Sequence, residues 1–297
     1  MVANGTRKGV CTPQTLSGPG RCHDRGMSDE ARTIAAADRP ATVSSLTSDL
    51  TALGVRSGST IIVHSSLSSI GWVAGGSHAV VEALLASVGP EGTIVMPTQS
   101  GQLTDPADWQ SPPVPKEWIP IIRAETPAYD PLLTPTRGMG AIVECFRHVP
   151  EARRSAHPHV SFAAVGPLAE DVLVPHEPSP EFGETSPLGR LYDLGADVLL
   201  LGVGHANNTS LHLAEHRAHW PSKRSGESGA PVHIDGERRW VTWADLEHDD
   251  SDFDQLGAHL ADLGLEQTGP VGNGVGRRCP MPAIVDAAAE WMTANRR

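Results

Sequence analysis

Residues 59–96 read STIIVHSSLSSIGWVAGGSHAVVEALLASVGPEGTIVM. Ser59 to His64 is a short run of β-branched apolar residues, the pattern of a buried strand. Ser65 to Gly76 is built of small residues and reads as a turn. Ser77 caps an apolar stretch reaching about Val88, and Gly89-Pro90 stops it, which predicts a helix. Gly92 to Met96 is a second strand. Strand, small-residue loop, helix and strand make a βαβ unit, parallel and right-handed, and place the chain in the α/β class.

Working outward, Thr42 to Val55 has apolar residues at helical spacing. Arg137 to Val149 and Pro187 to Leu194 read as helices, and Ser161 to Val165 as a strand. Asp197 to Val203 (DVLLLGV) is continuously apolar, as a central parallel strand must be when both its faces are covered. Val232 to Thr242 carries the turn dipeptide Asp235-Gly236 between alternating segments, a hairpin signal. Helices near Asp252 to Leu263 and Met281 to Thr293 close the chain. The Gly-rich run Gly269 to Arg278 reads as a loop near a ligand. Residues 1–40, polar and rich in Gly and Pro at their start, read as a disordered extension. Residues 41–297 then form one domain, with 221–297 peripheral.

The 297 residues contain no apolar run of the ~18 that a spanning helix needs, which predicts no membrane association. A formal net charge of −12 disfavours nucleic acid, whose phosphates need clustered Lys and Arg, and permits a cationic ligand. Four cysteines at scattered positions form no disulfide framework, so a reduced, cytoplasmic protein is expected, as monomer or homodimer.

The loop His64-Ser65-Ser66-Leu67-Ser68 through Gly71, Val73, Gly75 and Gly76 leads from strand into helix, where backbone N–H groups suit a phosphate. It is neither the ATP nor the dinucleotide fingerprint. Pro97 to Pro135 is a long loop with Trp109, Trp118 and Tyr129 set among Asp105, Asp108 and Asp130, the composition of a substrate wall.

Directly after the apolar run comes GVGHANNTSLHLAEHRAHW (202–220). His205 falls at the carboxyl end of the strand, where open α/β sheets bind ligands. Asn207 to Thr209 should cap a helix over Leu211 to Ala218 that sets His212, Glu215 and His216 on one face. Two chemistries compete here. His205 can act as general base, oriented by Glu184, Glu215 or a carbonyl. Alternatively H-x-x-E-H is a zinc-peptidase pattern, with His212 and His216 as ligands and Glu215 as base. That second pattern is short and arises readily by chance among 14 histidines.

Several ordered segments resemble the antibiotic N-acetyltransferases, whose best-known members are aminoglycoside 3-N-acetyltransferases. They are HSSLSSIGWVAGG (64–76), GTIVMPT (92–98), PPVPKEW (112–118), PAYDPLLTPTRGMG (127–140), RRSAHPHVSFAAVG (153–166), GETSPLGRLYDLGADVLLLGVGH (183–205) and NTSLHLAEH (208–216). The resemblance implies a three-layer α/β/α fold with a mixed central sheet, distinct from the commoner acetyltransferase superfamily. It implies acetyl-CoA as donor and no metal. The His64 to Gly76 loop, with Thr98, would hold the pyrophosphate and pantetheine arm. His205 matches the family's proposed base, with Thr209, His212 and Glu215 beside it, and His157 and Glu184 match further family positions. Ala206 departs from the aspartate of many relatives. A polycationic aminoglycoside, acetylated on the 3-amino group of its 2-deoxystreptamine ring, would meet the loop carboxylates with Glu181, Glu184 and Glu227. No G-x-S-x-G nucleophile is present, which favours direct transfer. Other readings are a different amine acceptor on the same fold, the zinc peptidase, or a non-catalytic binder of coenzyme or aminosugar.

Overall fold

The computed structural model describes residues 29–297; the first 28, and most of the expected disordered extension with them, lie outside the described residues. In chain order the elements are α1 (Asp29–Ala35), α2 (Val43–Ala52), β1 (Thr60–Ser65), α3 (Gly76–Val88), β2 (Thr93–Pro97), α4 (Ile119–Glu125), α5 (Gly140–Phe146), β3 (Arg153–Arg154), β4 (Phe162–Val165) and α6 (Ala169–Leu173). They continue with α7 (Pro187–Asp193), β5 (Asp197–Leu201), α8 (Leu211–Arg217), β6 (Ser225–Ile234), β7 (Glu237–Leu246), α9 (Phe253–Asp262), β8 (Gln267–Val271), β9 (Gly274–Pro280) and α10 (Met281–Asn295).

Seven strands form one sheet in the order β3-β4-β2-β1-β5-β9-β8. β1 runs parallel to β2 and β5, while β4 and β9 are antiparallel to their neighbours, so the sheet is mixed. Side chains alternate across it: Ile61 and Val63 pack with α2, α3 and α5, whereas Ile62 packs with α7 to α10. This is the three-layer arrangement, and it explains why β1 and β5 read as unbroken apolar runs. Each fully buried Val, Leu or Ile contributes about 1.5–3 kcal/mol, so Leu199→Ala at the sheet centre costs about 2–5 kcal/mol.

Three expectations change. Residues 29–35 form a helix, because their Ala- and Glu-containing sequence favours one and Glu30 accepts a bond from Trp72 Nε1 (3.2 Å). Gly269 to Arg278 is no loop but most of the β8–β9 hairpin, whose glycines let it pass close to Leu53 and the Ser69–Ile70 backbone. Asp235 and Gly236 both take positive φ, giving the two-residue turn foreseen for β6–β7, but its strands run ten residues each. That hairpin stands apart from the main sheet and carries the Pro97–Pro135 segment. Tyr129 N–H donates to Pro231 O, and Arg238 Nε donates to Thr126 O.

Candidate active site

β1 and β5 are adjacent and parallel, and their carboxyl ends open on one side of the sheet. The chain leaves β5 through Gly202, at φ +69°, where a Cβ would meet Ser69 Cβ at 2.7 Å. Only glycine lets it turn there without displacing the β1–α3 loop. One turn of 3-10 helix (His205–Asn207) follows, then α8. The expected cap is rearranged: Asn208 Oδ1 accepts from Ser210 N–H, and its amide reaches back to His205.

A cavity of about 230 Å³ lies at this mouth, lined by His64, Ser65, Gln99, Met139, Asn207, Asn208, Thr209, His212, Asp250 and Phe253, among others. His212 Nδ1 lies 2.6 Å from Glu215 Oε2. A carboxylate only accepts, so Nδ1 carries the proton and Nε2 of the neutral ring keeps a lone pair. Phe182 stacks on the ring at 4.9 Å and fixes its plane. Glu215 is wholly buried, and its second oxygen accepts from Arg296 Nη1 (2.6 Å) and Asp249 N–H (2.9 Å). Burial pushes its carboxyl up, but the bonds to His212, Arg296 and Asp249 outweigh it and leave the group below the usual carboxylate range. Glu215 is therefore an ionised anchor.

His205 is arranged otherwise. Its Nε2 lies 3.0 Å from Glu266 Oε2, its Nδ1 3.2 Å from Asn208 Nδ2, and Arg277 holds the other Glu266 oxygen at 3.3 Å. Burial pulls the ring below the ordinary histidine range despite Glu266. Both nitrogens are engaged and the ring packs on Gly257 of α9 instead of lining the cavity. The sequence placed His205 at the right strand end; packing turns it inward.

Among the described residues, two groups bring three potential metal donors within 4.8 Å, His212–Glu215–His248 and His205–Glu266–Cys279. In each the carboxylate already pairs with an arginine, Arg296 or Arg277. His216 belongs to neither group and instead meets His248 Nε2 with its own Nε2 at 3.1 Å, so the His212/His216 ligand pair of the zinc-peptidase pattern is not formed among the described residues.

A second cavity, about 640 Å³, opens beside the first between β6, β7 and the Pro97–Pro135 segment. Asp105, Asp108, Glu181, Glu227, Asp245 and Glu247 line it with Arg123 and His248. Arg123 forks onto Asp105 at 2.7–3.1 Å and Arg224 pairs with Glu247, which leaves four of the six carboxylates without an arginine. Polyvalent cations fit such a lining.

A family model described as aminoglycoside 3-N-acetyltransferase matches residues 62–293. The chain belongs to that family. It is 46% identical over 257 residues to the "SPbeta prophage-derived aminoglycoside N(3')-acetyltransferase-like protein YokD" of Bacillus subtilis, covering 86% of this chain and 94% of that one. The crystal structure of YokD superposes with a TM-score of 0.87 at 44% identity, over 89% and 97% of the two chains. Aminoglycoside N(3)-acetyltransferase VIII of Streptomyces fradiae is 41% identical over 222 residues, 74% of this chain and 76% of that one. A solved structure described as AAC-IIIb binary with CoASH superposes at a TM-score of 0.77 and 29% identity, over 86% and 97%.

Within this acetyltransferase, the expected site residues divide. His64, Ser65, Thr209 and His212 line the first cavity, and Asp105, Asp108, Glu181 and Glu227 meet in the second. Leu67, Ser68, Gly71, Val73, Gly75 and Gly76 line a separate hollow between the β1–α3 loop and α1, while Ser66 bonds Ser69 at 2.9 Å inside that loop. Thr98 is fully buried and receives Arg154 Nε at 3.1 Å, so it braces the wall and does not itself line the cavity. Tyr129 is buried and donates to Ser155 O; Asp130 accepts the Leu132 and Leu133 N–H groups; Trp109 donates to Thr104 Oγ1. These three hold the loop together instead of lining the acidic cavity. His157 is buried, its Nδ1 accepting from His159 and Val160 N–H, and it organises a turn. Glu184 is exposed and forks onto Arg217 at 2.7 and 2.9 Å, away from His205. Sequence reasoning missed Glu266, Arg296, Phe182 and His248. The acidic run LEHDDSD (246–252) was the one signal among them.

Proposed function

We propose that this chain transfers the acetyl group of acetyl-CoA directly to an amine of a polycationic aminoglycoside, with His212 as general base and Glu215 as its anchor. The carrying observation is that His212 faces the cavity at the strand ends with Nδ1 locked to a buried, ionised carboxylate. His205, the base expected from the resemblance, has no free nitrogen.

Acetyl-CoA supplies the thioester carbonyl. His64 and Ser65 support its placement at this mouth: His64 Nε2 and Ser65 Oγ are buried at the cavity without partners, as groups awaiting a ligand are. The loop onward to Gly76 and the start of α3, which no side chain caps, extend the same edge toward the pyrophosphate. The carboxylates of the second cavity that no arginine holds, Asp108, Glu181, Glu227 and Asp245, take the acceptor's ammonium groups. The reacting amine must shed a proton as it attacks, and His212 Nε2 takes it while Glu215 stabilises the imidazolium. As the tetrahedral intermediate collapses, the imidazolium returns that proton to the departing thiolate. No protein nucleophile is needed. Acetylation removes one positive charge from the antibiotic, which supports a resistance role in the cytoplasm, where acetyl-CoA is found; the 3-amino group is the acceptor the family name supports.

A thiol-release assay with acetyl-CoA, a panel of aminoglycosides and simple amines, with and without a chelator, tests this. Release with 2-deoxystreptamine aminoglycosides, indifferent to chelator and lost in His212→Ala, is expected. Absence of release with every aminosugar overturns the reading, and loss on chelation restores the zinc alternative.

A further inference from the structure

The two cavities share a partition of three consecutive residues. His248 lines the acidic cavity, Asp249 N–H donates to Glu215 Oε1, and Asp250 lines the cavity of His212. This segment follows β7 and leads into α9. His248 itself is mostly buried, with a hydrogen-bonding partner on one side and a carboxylate in ion-pair range on the other. Its Nδ1 lies 3.2 Å from Glu181 Oε1 and its Nε2 3.1 Å from His216 Nε2. Its ring stands edge-on to His212 at 5.0 Å and to Phe182 at 5.1 Å, while Phe182 stacks on His212. Phe182 and Glu181 are neighbours in sequence, one against the base and one in the acidic cavity. A single imidazole therefore spans the distance between the base and a cation-binding carboxylate.

We infer that His248 is a positioning and specificity-determining residue: acting through Glu181, it sets the separation between the ammonium held in the acidic cavity and the amine presented to His212. The inference rests on the assignment of the acidic cavity to a polycationic acceptor. Glu181 has few other restraints on its carboxylate; Oε2 is 3.8 Å from His157 Nε2. With the His248 ring removed, the Glu181 carboxylate loses its neighbour at 3.2 Å and is free to swing into the 640 Å³ cavity, and the second ammonium loses a fixed partner. An acceptor with a single amine does not use that separation and does not sense the change. The residue thus selects molecules that carry two amines at the right spacing.

Steady-state kinetics and calorimetric titration on His248→Ala, His248→Asn, Glu181→Gln and the double variant His248→Ala/Glu181→Gln test this, with kanamycin as polycationic probe and glucosamine as single-amine probe. His248→Ala should raise KM and Kd for kanamycin about tenfold, with KM for acetyl-CoA and for glucosamine within twofold and kcat falling less than KM rises. Asparagine, whose amide can take the place of Nδ1–H, should recover most of the loss. In the Glu181→Gln background His248→Ala should add less than twofold, because both act on one contact. Unchanged kanamycin affinity, equal losses for both probes, or additive losses overturn the inference. Wild-type enzyme that binds kanamycin without releasing thiol refutes the proposed reaction instead, and the titration arms still decide whether His248 acts through Glu181.

Discussion

His212 meets Glu215 at 2.6 Å and His205 meets Glu266 at 3.0 Å, so the molecule holds two histidine–carboxylate pairs near the mouth of the same sheet. Both carboxylates also hold an arginine. The pairs differ in what the second ring nitrogen faces. In His212 the carboxylate takes Nδ1 and the ring stands in the cavity wall. In His205 the carboxylate takes Nε2 and Asn208 takes Nδ1, which turns the ring into a brace between the strand end, α9 and the β8 edge. A histidine beside a glutamate is thus no guide to catalysis; the free nitrogen is.

The largest effect should separate the pairs outright. His212→Ala should lower kcat about 10²–10⁴-fold with KM for acetyl-CoA little changed. Kinetics on His212→Ala and His205→Ala side by side decide the matter, and a greater kcat loss in the latter inverts the comparison. Next comes Glu215→Gln. It should cut kcat and also destabilise the fold by about 1–3 kcal/mol, because Arg296 loses one of the two carboxylates it holds and keeps only Asp252. Urea midpoints with unchanged slope would measure the second part.

Buried histidines, one beside both pairs and one further along the sheet, make the fold sensitive to acid. Burial first, then the charges of His205 and His212, pushes His64 down to about 3, and burial pushes His176 down to about 4. Between those values and the ordinary 6.5 the unfolded chain binds more protons at these rings than the folded one. Stability is therefore full above 6.5 and falls with pH through that window, by about 2 kcal/mol per ring at pH 5. Melting curves at pH 7.5 and 5.0 should show a clear drop that His176→Gln makes shallower; equal melting points would refute the buried neutral state.

His205→Ala should cost about 1–3 kcal/mol by leaving Glu266 Oε2 without its partner while Arg277 keeps the other oxygen, with kcat reduced less than tenfold, as thermal unfolding and kinetics on one preparation will show. The smallest effect is expected at Glu184. Its exposed pair with Arg217 contributes less than ~1 kcal/mol, so Glu184→Ala should leave both kcat and unfolding midpoint near wild type. A large kcat loss there would reinstate Glu184 as an active-site residue.

Much of this was readable along the chain. The stretch 59–96 specified a βαβ unit and the DVLLL run a central strand, and the segment after it was placed at the carboxyl-end mouth, because continuous apolar runs and turn chemistry are local properties. The i, i+3 spacing put His212 and Glu215 on one helix face, the composition of the Pro97–Pro135 loop flagged Asp105 and Asp108, and Glu181 and Glu227 came only with the family resemblance. Which histidine keeps a free nitrogen was decided only in three dimensions. Glu266 stands 61 positions from His205 and Arg296 stands 81 positions from Glu215, and packing of the β8 edge and α10 against the sheet delivers them. The protonation and reach of a buried ring depend on the partners that surround it, and no local pattern in the sequence records which distant side chains those will be.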